Sequence, residues 1–173
     1  MTAESLRARI REIPDFPKPG ILFYDITTLL KESDAFHESI ELLTAPYRGE
    51  KIDVVVGMES RGFIFSAPMA FELGAGFVPV RKLGKLPAET VSVEYALEYG
   101  TNTLEIHKDA IKPGQRVLIV DDLLATGGTV LGTIELVTQL KAEVVGLAFL
   151  VELLFLKGRE RLDAYDIHSV IQY

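Results

Sequence analysis

The sequence has 173 residues, 48% of them hydrophobic and 25% charged. That is ordinary for a globular chain, suits a single domain spanning 1–173, and gives a core that needs no covalent staples. The chain has no cysteine, which excludes disulfides, thiolate metal sites and a cysteine nucleophile. A formal charge of −7 argues against nonspecific nucleic-acid binding, yet leaves room for a local basic pocket that takes an anionic small molecule. No apolar run approaches the ~18–20 residues of a membrane span, and MTAESLRARIREI lacks an apolar signal core. The expectation is a soluble cytoplasmic protein with neither a membrane nor a nucleic-acid partner.

Leu6, Ile10 and Ile13 stand at helical spacing and predict an amphipathic helix over 3–13. Pro14, Pro17, Pro19 and Gly20 then impose a loop. Asp34 is placed to cap a helix carrying Phe36, Ile40, Leu43 and Tyr47. The unalternating run Asp53–Gly57 predicts a strand covered on both faces. A helix over Phe63–Leu73 follows despite Pro68, then a strand over Phe77–Val80 that Pro79 weakens. Val117–Val120 is the clearest strand, followed by a helix from about Gly128 to Leu140 and a buried strand over Val144–Val151, the last that the pattern supports. Recurring strand–helix–strand units predict an α/β fold with a mostly parallel sheet. Residues 82–108 break that rhythm: they are polar, with two short strands at most, as in a lid or a hairpin excursion.

The chemistry concentrates in Val117-Leu-Ile-Val-Asp121-Asp122-Leu-Leu-Ala125-Thr126-Gly127-Gly128-Thr129. An apolar strand ends in two acids, and a small-residue loop then opens into a helix. Ligands bind α/β sheets at such strand ends. Gly127 and Gly128 let backbone N–H groups approach, Thr126 and Thr129 add hydroxyls, and the helix N-terminus adds positive potential, which together make a phosphate cradle. Paired acids accept well from two sugar hydroxyls, so the composite fits a phosphorylated ribose. Two acids at a strand end also suit a metal site, and in the plainest reading they only cap the next helix while the glycines turn; both explain fewer of these residues. Neither a P-loop nor a dinucleotide fingerprint is present.

This stretch resembles the phosphoribosyl-pyrophosphate motif of type I phosphoribosyltransferases. Further blocks resemble the adenine phosphoribosyltransferases in particular: Pro14-Asp15-Phe16-Pro17-Lys18-Pro19-Gly20-Ile21-Leu22-Phe23, Glu59-Ser60-Arg61-Gly62-Phe63, Arg81-Lys82-Leu83-Gly84-Lys85-Leu86-Pro87, Leu97-Glu98-Tyr99-Gly100 and Leu150-Val151-Glu152-Leu153. The resemblance implies a parallel core sheet with flanking helices, a flexible hood and a homodimer. It implies transfer of ribose 5-phosphate from phosphoribosyl pyrophosphate to N9 of adenine, with Mg²⁺, giving AMP and pyrophosphate. Asp121 and Asp122 would hold the ribose hydroxyls, and Ala125, Thr126, Gly127, Gly128 and Thr129 the 5-phosphate. Ser60 and Arg61 match the pyrophosphate loop, whose peptide is often cis in this family, and Arg81, Lys82 and Lys85 match its basic cluster. Leu22 and Tyr24 would meet adenine through backbone groups, with Phe23 stacking, Leu153 opposite and Tyr99 closing over the site. Glu98 matches the acid at N7 of the purine; spacing alone reads it as an exposed glutamate. Many relatives carry arginine where this chain has Tyr24.

The base can also be argued from chemistry. A 6-oxo purine needs a donor, and the strand Leu147–Leu154 has no lysine before Lys157. A 6-amino purine needs an acceptor, which a backbone carbonyl of Ile21–Tyr24 provides. The alternatives are transfer to another base, such as hypoxanthine or xanthine, and a nucleic-acid-binding regulator built on the same fold. The acidic charge disfavours the regulator.

Overall fold

The computed structural model describes residues 2–96 and 100–173. Among them, a short helix α1 (Ala3–Arg7) leads into a two-stranded antiparallel sheet of β1 (Arg11–Pro14) and β2 (Leu22–Asp25). Helices α2 (Thr27–Leu30) and α3 (Ser33–Thr44) follow. The main sheet is built from β3 (Val54–Met58), β4 (Gly76–Lys82), β5 (Thr90–Ala96), β6 (Thr101–His107), β7 (Arg116–Leu124), β8 (Glu143–Glu152) and β9 (Ile167–Gln172). Its order is β5-β6-β4-β3-β7-β8-β9. Helix α4 (Gly62–Leu73) connects β3 to β4, and α5 (Gly128–Gln139) connects β7 to β8.

The pairings β3–β4, β3–β7, β7–β8 and β8–β9 are parallel, whereas β4–β6 and β5–β6 are antiparallel. All five residues of β3 are buried, as the unalternating Val-rich run predicts for a sheet covered on both faces. One core cluster joins Leu6, Leu29, Leu43, Phe65, Met69, Leu118 and Leu150, and a second joins Val56, Val80, Ile119, Leu136, Phe149 and Leu162. Residues 82–108 contain the β5–β6 hairpin. It is continuous with the sheet through Arg81↔Glu105 and Lys82↔Leu104, and it buries Val93, Leu104 and Ile106.

Several expectations need correction. The helix expected over 3–13 stops at Arg7, and Arg11–Pro14 is a strand. Its partner β2 follows across the loop 15–21, and cross-strand pairing overrides a short helical period. Asp34 does not cap α3: the N-cap is Glu32, and Asp34 sits in the first turn, where its charge still favours the helix. Tyr47 lies beyond α3, in a 3₁₀ turn. The apolar strand Val117–Val120 does not end at the acids, because β7 runs on to Leu124 with Asp121 paired to Phe149. Pro79 sits within β4, where β6 pairs only with Arg81 and Lys82. The missing N–H therefore costs little, as at a sheet edge. Strand β9 was not expected.

Asp25 ties β2 to β1 and α2. Its carboxylate accepts from the Thr27 hydroxyl at 2.7 Å, the Thr27 amide at 2.9 Å and the Arg11 guanidinium. Hydrogen bonds from the Thr27 hydroxyl and from Arg11 hold its pKa down at about 2, from an ordinary 3.8. A depressed carboxylate adds stability above its unfolded pKa and loses it as pH falls through the folded one. Asp25→Asn should cost about 1–2 kcal/mol at neutral pH, discounted for the water-exposed Arg11. It should also flatten the loss of stability that the parent shows between about pH 5 and pH 2; denaturant titrations across that range measure both effects.

Candidate active site

The parallel strands deliver their carboxyl ends to one side of the sheet. From β3 come Glu59, Ser60 and Arg61; from β4, Arg81 and Lys82; from β7, Asp121 and Asp122; and from β8, Glu152 and Leu153. Past Gly57↔Val120 the pairing of β3 with β7 ceases, while β7 continues along β8. Into the space so opened steps the start of α4. A Cβ on Gly62 would lie 2.7 Å from Oδ1 of Asp121, so only glycine lets the helix approach that carboxylate so closely.

The two acids differ in setting. Asp122 is buried and ion-paired, with Arg61 Nε 2.9 Å from its Oδ2. Asp121 takes the Asp122 amide at 2.9 Å. Burial and the neighbouring Asp122 charge push the Asp121 carboxyl well above the usual range, and Arg61 pulls against them. With Asp121 biased toward its neutral form and Asp122 met by Arg61, the two acids offer acceptors to neutral hydroxyls.

Residues Ala125–Thr129, with Asp121, Leu123 and Val130, line a cavity of about 70 Å³ at the N-terminus of α5. Gly127 has φ of 84°, in the left-handed region that glycine tolerates. The turn and the helix start together present backbone N–H groups to one point. Tyr95 packs over this corner: it lies 3.7 Å from where a Gly128 Cβ would project, and Thr129 Oγ1 is 3.5 Å from its hydroxyl.

The Glu59–Ser60 peptide is cis, as the resemblance implies for the pyrophosphate loop. Glu59 accepts from the Lys82 amide at 2.9 Å and from Arg81 Nη2 at 3.3 Å, which hold its carboxyl below the usual range, the Lys82 amide foremost. Arg81 also donates to the Lys85 carbonyl at 3.3 Å. Lys82 and Lys85 are exposed. On the other flank, the Arg61 guanidinium stands 5.7 Å from the centroid of the Phe23 ring. Phe23 therefore faces the same space as the acids. Tyr24 points elsewhere: its ring stacks on Tyr173 at 3.9 Å, so the side chain that replaces the relatives' arginine is occupied away from Phe23. Leu22 is exposed on the same strand. Leu153 is buried in the core, and its amide donates to the Leu124 carbonyl at 3.0 Å. Glu98 and Tyr99 lie outside the described residues.

The model for the phosphoribosyl transferase domain matches residues 26–172. An Acidobacterium capsulatum protein called adenine phosphoribosyltransferase is 60% identical over 173 residues, covering 100% of this chain and 96% of that one. The chain belongs to the adenine phosphoribosyltransferase family. The crystal structure of the Thermoanaerobacter pseudethanolicus adenine phosphoribosyltransferase is 59% identical, with a TM-score of 0.96 over 99% of this chain and 100% of that one. The Giardia lamblia enzyme, solved with 9-deazaadenine, is 39% identical, with a TM-score of 0.94 over 100% of this chain and 98% of that one. In this adenine phosphoribosyltransferase family member, Arg61 joins Asp122 to the Phe23 ring, and Asp121 lines the cavity of the small-residue loop.

Gly158 belongs to no motif of the sequence. A Cβ there would lie 2.2 Å from the Ala125 carbonyl oxygen, so the turn after β8 backs directly onto the loop. A lone glycine in Leu156-Lys157-Gly158-Arg159 gives no hint of this in sequence. Gly158→Ala should cost about 1–3 kcal/mol through overpacking. Gly76→Ala, whose nearest neighbour atom would be at 3.7 Å, should unfold near the parent's midpoint; thermal and denaturant unfolding compare the two.

Proposed function

We infer that this chain is a purine-salvage enzyme that transfers ribose 5-phosphate from phosphoribosyl pyrophosphate to N9 of adenine, giving AMP and pyrophosphate. The observation that carries the reading is the pair Asp121–Asp122 running into the cradle Ala125–Thr129, in a chain 60% identical along its whole length to a protein called adenine phosphoribosyltransferase. The whole of 1–173 works as one domain.

Asp121 and Asp122 accept from the ribose hydroxyls, and the amides and hydroxyls of 125–129 take the 5-phosphate. As the bond to pyrophosphate stretches, positive charge grows on the ribose and negative charge on the leaving group. The carboxylates face the first; Ser60, Arg61, Arg81, Lys82 and Lys85 serve the second. Arg61 exchanges its ion pair with Asp122 for phosphate oxygens, which suit its planar fork. Mg²⁺ fits this donor set, because it binds through one or two carboxylates together with substrate phosphates and waters. When bound, it neutralises charge on the pyrophosphate.

Strand β2 offers the base its backbone. In a two-stranded sheet one edge of each strand lacks a ladder, so about half of the β2 N–H and C=O groups turn away from β1. A carbonyl of that edge accepts from the 6-amino group, Phe23 stacks, and Leu153 backs the pocket. Glu98 holds a proton at N7 and Tyr99 closes over the bound substrates with the hood. The enzyme is a homodimer and works in the cytoplasm. Among the described residues, no helix is long and apolar enough to cross a membrane.

An assay of adenine, hypoxanthine, guanine, xanthine and orotate with phosphoribosyl pyrophosphate and Mg²⁺ tests the reading. Adenine should be consumed, and comparable turnover of a 6-oxo purine would overturn the base assignment. Asp121→Asn with Asp122→Asn should keep the fold and lower kcat/KM for phosphoribosyl pyrophosphate by at least about 10²-fold, since each hydrogen bond to a charged group is worth about 1.5–3 kcal/mol. Glu98→Gln should lower kcat more than it raises KM for adenine, and Glu98→Leu more severely still, within the roughly 10²–10⁴-fold span of a positioned acid; steady-state and single-turnover kinetics read out the difference.

A further inference from the structure

Behind the loop 125–129 runs the turn 157–162, whose two sides are anchored. On one side Arg159 meets the buried Glu152 through two bonds, Nε to Oε1 at 2.8 Å and Nη2 to Oε2 at 2.6 Å. Glu152 also accepts from Ser169 Oγ and Gln172 Nε2 of β9. Burial pushes Glu152 up, but these bonds outweigh it and hold the carboxyl below the usual range. On the other side Leu162 is fully buried, and Gly158 presses against Ala125. Arg161 lies between these anchors, so its backbone has little freedom left to lose.

Arg161 Nη1 donates to the Thr126 carbonyl oxygen at 3.0 Å, and Nη1 is also 4.0 Å from where a Gly128 Cβ would project. Arg161 is not among the residues lining the cradle. The Thr126 C=O and the Gly127 N–H belong to one planar trans peptide and point in opposite directions. Fixing the carbonyl toward Arg161 therefore aims the Gly127 N–H away from it, into the cradle. The guanidinium also adds a full positive charge at the rim, where a helix N-terminus supplies only a partial one.

We propose that Arg161 is a positioning residue that sets how tightly the cradle takes a phosphate monoester. It holds the Thr126–Gly127 peptide in its anion-binding orientation and deepens the positive potential there. The proposal rests on the assignment of 125–129 as the 5-phosphate site.

The test uses the full chain with Arg161→Met, Arg161→Lys and Thr129→Val. The measurements are Kd for AMP, ribose 5-phosphate and adenine, KM for phosphoribosyl pyrophosphate, and thermal midpoint. Arg161→Met should weaken AMP and ribose 5-phosphate by about 5–10-fold, as expected for one charge-assisted contact, and raise KM for phosphoribosyl pyrophosphate similarly. Adenine affinity and the thermal midpoint should stay near the parent's, Arg161→Lys should recover part of the loss, and added salt should narrow the gap. Thr129→Val should weaken the same two ligands. If Thr129→Val weakens them and Arg161→Met does not, the role of Arg161 is overturned and the phosphate site stands. If neither variant weakens them, the phosphate-site assignment falls, and the proposal with it. Equal loss of AMP and adenine in Arg161→Met would overturn positioning in favour of a merely structural role.

Discussion

The parallel ladder of β7 between β3 and β8 is the constraint on which the rest depends. Parallel pairing forces β3, β4, β7 and β8 to finish on the same side, so loops distant in sequence open onto one space. The ladder is also unequal. Strand β3 leaves β7 after Gly57↔Val120, whereas β8 accompanies it to Leu124↔Glu152. That offset holds Asp121 and Asp122 in extended backbone while freeing the side on which Gly62 and Arg61 arrive. Without it the acids would be ordinary mid-sheet residues facing a neighbouring strand.

An acid pair drawn out of water, with Asp122 buried and Asp121 partly so, is costly unless its charges are met. Here Arg61 meets Asp122 directly, and Asp121 is displaced toward its neutral form by burial and by Asp122. The same arginine faces the Phe23 ring. One side chain thus links the acids, the loop after β3 and the strand β2. The acid at the end of β8 has another use. Glu152 is fully engaged by Arg159, Ser169 and Gln172, and it anchors the turn that backs onto the loop 125–129.

The hairpin β5–β6 combines two tasks. Its inner residues Val93, Leu104 and Ile106 complete the second core cluster, and Tyr95 reaches the corner of the cradle. Buried Glu105 accepts from the Gly84 amide at 2.9 Å and from Thr90 Oγ1 at 3.1 Å, which ties the basic segment after β4 to the hairpin.

The sequence by itself determined the α/β class, because a run such as Val54-Val55-Val56 buries both faces of a strand and suits only a sheet between helix layers. It also determined the acids and the small-residue loop, because strand, carboxylates, glycines and helix start are contiguous and their chemistry is local. The tertiary structure decided what depends on partners in other elements. Arg11–Pro14 is a strand because β2 lies beside it, and β7 outruns its apolar core because β8 supports it. Gly158 and Arg161 matter because the chain after β8 folds back onto the loop, and the Tyr24 ring, turned from Phe23 by strand alternation, is covered because Tyr173 lies beside it. Sequence pattern reports periodicity and local chemistry; a close approach between segments more than thirty residues apart leaves no periodicity to read, since it is set by where the packed sheet delivers each chain end.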